Sequence, residues 1–142
     1  MENVRGLLDK VAEIYRWIDS QTRDYEDLAG TCRVCGECCY FDSFGHVLFV
    51  TSPELLYLVN NIGPGKIKPM STGRCPYNVN DRCTIYKWRF AGCRVFCCGG
   101  DGDFQSTLSE SALDRLKALC AEYRIPYRYM DLAVALNDLA AV

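Results

Sequence analysis

Four cysteines fall within eight residues, Cys32-Arg33-Val34-Cys35-Gly36-Glu37-Cys38-Cys39, and no other stretch constrains the chain as strongly. The run is too rich in cysteine and glycine for regular structure, so it reads as a loop wrapped around something. A C-x2-C pair lets two sulfurs converge on one ion, and intervening backbone amides stabilise the thiolate charge. Here the spacing repeats through Cys32, Cys35 and Cys38, and further thiols follow at Cys75, Cys83, Cys93, Cys97 and Cys98. Ten cysteines in 142 residues suit either a disulfide framework or a set of metal ligands. Compartment separates the two, because disulfides persist in oxidising surroundings. The N-terminal stretch carries charges every few residues, which argues against a signal peptide and against a membrane span. The expectation is a cytoplasmic protein whose thiols bind metal.

Three thiolates from one run plus a distant fourth is how many 4Fe-4S clusters are held, and Cys75-Pro76 supplies a fourth of the type that ends ferredoxin-like runs. Zinc in a four-thiolate site accepts the same pattern. One candidate set is therefore Cys32, Cys35, Cys38 and Cys75, and a second is Cys39, Cys83, Cys93 and Cys97. A single centre with surplus thiols is the alternative. The neighbours Cys38 and Cys39 are expected to face different ways and serve different centres. His46, the only histidine, reads as a structural or surface residue. Cys120 lies on an apolar stripe and reads as a buried, inert thiol.

Around this centre the pattern is helical. Val4, Leu7, Leu8, Val11, Ile14, Tyr15 and Ile18 recur at spacings of three and four, predicting an amphipathic helix over 3–29 that bends or frays before Gly30. The run His46 to Val50 suggests a short buried strand. Ser52 as cap with Pro53 at the first helical position opens a helix whose Leu55, Leu56, Leu58 and Val59 face the core, and Gly63-Pro64-Gly65 closes it. Residues 76–82 read as a hairpin tip between Cys75 and Cys83, with Thr84-Ile85-Tyr86 as strand. Gly99 to Asp103 reads as a flexible loop. A capping box from Thr107 to Glu110 starts a helix with Ala112, Leu113, Leu116, Leu119, Cys120 and Tyr123 on its core side. A last helix runs from Tyr129 to about Leu139. The expected fold is one domain over 1–142, mainly α, with an irregular cysteine-rich metal-binding centre (32–98), a short β-hairpin and a C-terminal helical pair (107–140). Metal binding would supply part of its folding energy.

Charge narrows the functions. A formal net charge of −2 argues against bulk attraction to nucleic acid or anionic membrane. Locally the balance reverses: from Lys66 to Arg94 there are seven basic residues against one acid, Asp81. Thiolate-bound zinc or an oxidised cluster carries negative charge that neighbouring arginines and lysines offset. A nucleic-acid surface is the rival reading of that segment, and no recognised nucleic-acid motif accompanies it. No Ser-His-Asp arrangement, phosphate-binding glycine loop or HExxH stands out, so neither an enzymatic activity nor a substrate can be named; a thiol oxidoreductase is a further class. A protein partner is open, as is the oligomeric state.

The ordered motifs Cys32-x2-Cys35-Gly36-x-Cys38-Cys39, Gly45-His46-Val47 leading to Glu54, Cys75-Pro76, Cys83-x-Ile85-Tyr86, Arg89 and Cys93-Arg94-x-Phe96 resemble the CxxCxxCC cysteine-cluster family, YkgJ-like. The resemblance covers roughly residues 32 to 98, about half of the chain. It implies a zinc- or iron-chelating domain, often labelled an iron–sulfur oxidoreductase. Larger relatives are associated with protein lysine methylation, which implies an accessory role in such a system; nothing outside the cysteine region resembles a methyl-donor site. Phe90 and Cys97 stand where the family usually has proline, so Cys97 and Cys98 are ligand candidates beyond the family pattern.

Overall fold

The apolar stripe at the start of the chain folds as helix α1 (Glu2–Asp24), and Leu7, Val11, Ile14, Tyr15 and Ile18 are its buried side. The computed structural model describes residues 2–30, 48–80, 82–96 and 100–140. A turn at Tyr25 separates α1 from the single-turn helix α2 (Glu26–Ala29), and Gly30, at φ 83°, ends it. Then come strand β1 (Phe49–Thr51), helix α3 (Ser52–Ile62), strands β2 (Asn78–Val79) and β3 (Arg82–Cys83), and helix α4 (Ala91–Val95). The chain closes with helix α5 (Gly102–Tyr123), strand β4 (Tyr129–Asp131) and helix α6 (Leu132–Ala140). The mainly helical fold with a short antiparallel hairpin is as the sequence predicts.

Apolar burial divides into two clusters. In the first, α1 packs on Leu108, Ala112, Leu116 and Leu119 of α5, with Ala91 and Val95 of α4 filling the side. The helices run antiparallel: Gly6 lies against Tyr123 so closely that a Cβ would sit 2.7 Å from the tyrosine oxygen, and Asp101 N–H donates to the Leu28 carbonyl (2.6 Å) at the other end. The second cluster gathers Leu48 and Val50, Leu55 and Leu58 of α3, Met70, Cys75, Tyr77, Ile85, Phe90, and Leu132, Ala135 and Leu136 of α6. Its ribbon pairs β1 with β4 antiparallel, Phe49 opposite Asp131 and Thr51 opposite Tyr129, with Phe49 and Tyr129 stacked diagonally at 4.9 Å. Among the described residues no helix is long and apolar enough to cross a membrane.

Several boundaries differ from expectation. The cap of α3 is Thr51, whose side chain and backbone engage Glu54 in a capping box, and Pro53 takes the second helical position. Ser52 instead donates its hydroxyl to the Pro126 carbonyl (2.8 Å) and accepts from Arg128 N–H (3.1 Å), tying α3 to the segment before β4. Leu56 is exposed. Helix α5 begins at Gly102, because Asp101 accepts from Phe104 N–H (3.0 Å) and starts the helix five residues before Thr107. It ends with Arg124 in the left-handed conformation, a place usually given to glycine. Tyr129 to Asp131 form a strand rather than the first turn of the last helix, since β1 offers an edge to pair with. In the hairpin the strands are 78–79 and 82–83 around Asn80 at φ 54°, and Tyr86 opens a 3-10 turn instead of extending the strand.

Candidate metal centre

Cys75, Cys83 and Cys93 lie along the stretch 75–93 and meet the same cluster. Cys75 is buried within it; Cys83, on β3 opposite Asn78, and Cys93, on α4, are partly buried against it. The hairpin explains the first two: Asn78 N–H donates to the Cys75 carbonyl (3.0 Å), and Asn78 pairs with Cys83. Cys32, Cys35, Cys38, Cys39 and Cys97, together with His46, Cys98 and Asp81, lie outside the described residues. Cys120 is elsewhere, on α5, with its sulfur 3.9 Å from the Ser52 hydroxyl, and burial pushes its thiol up, keeping it neutral. Among the described residues no group of three or more His, Cys, Asp or Glu side chains converges to hold an ion. The thiol donors suit a soft or borderline metal. Closing a site around them needs ligands from the remaining cysteines.

Described residues fix where the other cysteine runs enter. A Cβ on Gly100 would run into the Ala29 carbonyl, so the residues bordering stretches 31–47 and 97–99 touch. At its other border, Leu48 fills the place where Gly92 lacks a side chain, beside Cys93, and accepts from Leu132 N–H through its carbonyl (2.9 Å).

The basic segment is directed inward at several points. Arg74 donates to the Asn78 carbonyl and side-chain oxygen, both at 2.9 Å. Arg89 stacks on Tyr86 at 3.8 Å and donates to the Tyr86 and Cys93 carbonyls. Arg94 lies over the Tyr15 ring, donates to the Arg89 and Lys87 carbonyls, and bonds Asp19 of α1 at 2.7 Å with its own side chain only 7% exposed. A planar five-donor group suits a segment with many carbonyls outside helices and ladders. Of the aromatics near the thiols, Tyr77 and Phe90 are core, Trp88 is half-buried against the cluster, and Tyr86 is exposed. Tyr77 accepts from Lys68 N–H and donates to the Lys66 carbonyl, and burial raises its phenol.

Between the two clusters lies Glu54, 1% exposed. Its Oε2 accepts from Thr51 N–H (3.0 Å) and the Thr51 hydroxyl (2.9 Å); its Oε1 accepts from Ala91 N–H (2.6 Å) and the Tyr15 hydroxyl (3.2 Å). Burial pushes its carboxyl above the ordinary carboxylate range, and those bonds oppose the rise. The Thr-x-x-Glu spacing was the available signal for the capping box, but nothing in it announces that the same carboxylate reaches α4.

No family model, curated protein or solved structure matches this chain.

Proposed function

We propose that this chain is a metal-binding protein whose cysteines hold one or two thiolate-ligated centres, with a 4Fe-4S cluster and an electron-transfer or redox role ahead of structural zinc. The observation that supports it is the presence of Cys75, Cys83 and Cys93, eight and ten residues apart in sequence, on one apolar cluster. Connectivity adds to it: Cys32 and Cys98 are each within three residues of the Ala29–Gly100 contact, and Gly92, next to Cys93 in sequence, meets Leu48. The CxxCxxCC resemblance points the same way. In this reading Cys32, Cys35, Cys38 and Cys75 form one ligand set, and Cys39, Cys83, Cys93 and Cys97 the other. Bound iron–sulfur would supply one-electron chemistry. The chain's own residues hold thiolates, exclude water through Tyr77 and Phe90, and offset charge through the basic segment.

Metal and acid-labile sulfide analysis of anaerobically purified protein, with its visible spectrum, tests this. Iron, sulfide and a broad charge-transfer band are expected. Stoichiometric zinc in a colourless protein would replace the redox role with a structural one, since a closed four-thiolate zinc site has no position left for a substrate. Protein that takes up neither metal would overturn the reading.

A further inference from the structure

Helix α4 has five residues, too few to stand alone, and its N-cap residue Phe90 provides no side-chain acceptor. Its first amide is satisfied from 37 residues away, by the Glu54 carboxylate at 2.6 Å on Ala91 N–H. Glu54 is in turn fixed from both sides, by Thr51 through its backbone and hydroxyl and by Tyr15 of α1. One buried carboxylate thus caps two helix starts, its own and that of α4, where the amide ends of the helices favour negative charge.

What α4 carries makes the junction consequential. Ala91 and Val95 face the helical cluster, whereas Cys93, between them, rests on the cluster that holds Cys75 and Cys83. Gly92 leaves no room for rotation, because Leu48 occupies the place of a Cβ. Arg94 anchors the far end to Asp19. The orientation of Cys93 is therefore set at one end by Arg94 and at the other by Glu54.

Resting on the metal-binding reading above, we propose that Glu54 is a positioning residue for the metal centre: by capping α4 it fixes Cys93 on the apolar cluster that also carries Cys83. It touches no metal itself. Outer residues that orient ligands typically change metal affinity about 10- to 100-fold when removed.

The test uses the full chain, with Co2+ and Zn2+ as probes in chelator competition, well below the unfolding midpoint of every variant. Glu54→Ala is expected to weaken binding about tenfold or more and to reduce the thiolate-to-cobalt absorption. Glu54→Gln, which keeps an acceptor for Ala91 N–H, should restore much of both. Leu116→Ala, fully buried in the helical cluster, controls for general destabilisation and should leave affinity and spectrum unchanged. Should Glu54→Ala not fold, Glu54→Asp, whose shorter side chain withdraws from Ala91, is expected to show the same loss. Affinity that falls equally in Leu116→Ala, or that survives in the Glu54 variants while Cys93→Ser abolishes it, overturns the positioning role alone. A parent chain that binds neither ion overturns both this role and the reading beneath it.

Discussion

The two clusters reach burial by different means. The helical one is two long helices, α1 and α5, whose apolar residues recur at three and four, so burying one face brings the next turn's residues with it. Val11, Ile18 and Leu116 reach 0% exposure there. The cysteine-bearing cluster takes Leu55 and Leu58 from α3 and Leu132, Ala135 and Leu136 from α6, but its cysteines sit on a loop, a two-residue strand and a five-residue helix, none of which has a long periodic face to bury. Cross-links replace periodicity: Arg74 to Asn78, Tyr77 to the backbone of Lys66 and Lys68, and Asn137 to both backbone groups of Met70 at 2.8 and 3.1 Å. Such a region orders only when many specific contacts form together. A metal centre is a natural further cross-link for it, and the helical cluster has no comparable need.

The sharpest way to separate the regions is chelation. Removing metal is expected to cost the cysteine-bearing region on the order of 10 kcal/mol of apparent stability, the scale of structural thiolate sites. Amide exchange should then be fast in β2, β3 and α4 and remain slow in the middle of α1 and α5. Uniform loss of protection would show a single cooperative unit, and no loss would mean the cross-links suffice without metal. Next in size is the tether between the regions: Arg94→Leu removes a largely buried guanidinium from Asp19 and two carbonyls. Denaturant unfolding of metal-loaded protein should show about 3 kcal/mol of destabilisation, whereas a change below about 0.5 kcal/mol would mark it as a surface pair.

The smallest effect is a pH slope from Glu54. Its carboxyl is raised above the ordinary value of 4.5, so the folded protein holds that proton more tightly than the unfolded chain. The stabilisation is complete below that value and is lost as pH rises through the folded one, with a slope of at most about 1.4 kcal/mol per pH unit. The difference in stability between parent and Glu54→Gln isolates it, because thiolate titration is common to both. A difference that grows in the parent's favour with rising pH would reverse the sign.

Where a periodic stripe existed the sequence was readable: Leu7, Val11, Ile14, Tyr15 and Ile18, and Ala112, Leu116, Leu119 and Cys120, are buried as their spacing requires, whereas Val4 at the head of the first stripe is exposed and Leu8 and Leu113 are partly buried. Boundaries were harder, because the deciding partner is remote. Tyr129 to Asp131 has a helix-compatible sequence and becomes strand only because β1 lies beside it. Asp101 begins α5 although Thr107 and Glu110 display the more familiar motif. Local spacing found Cys75 and Cys83 together, and the hairpin accounts for it. Cys93 reaches the same cluster through Glu54, Gly92 and Arg94, a set of contacts spanning 75 residues from Asp19 to Arg94 that no short window contains.

The β1–β4 ribbon has a consequence for biosynthesis. One wall of the cysteine-bearing cluster, β4 with α6, is translated after every cysteine in the sequence. At roughly 5–20 residues per second, the nascent thiols wait seconds for the strand that completes their enclosure. Under the proposed metal-binding role, loading during that interval would compete with oxidation in an open chain, so that the timing of supply, as much as affinity, would decide how many molecules mature correctly.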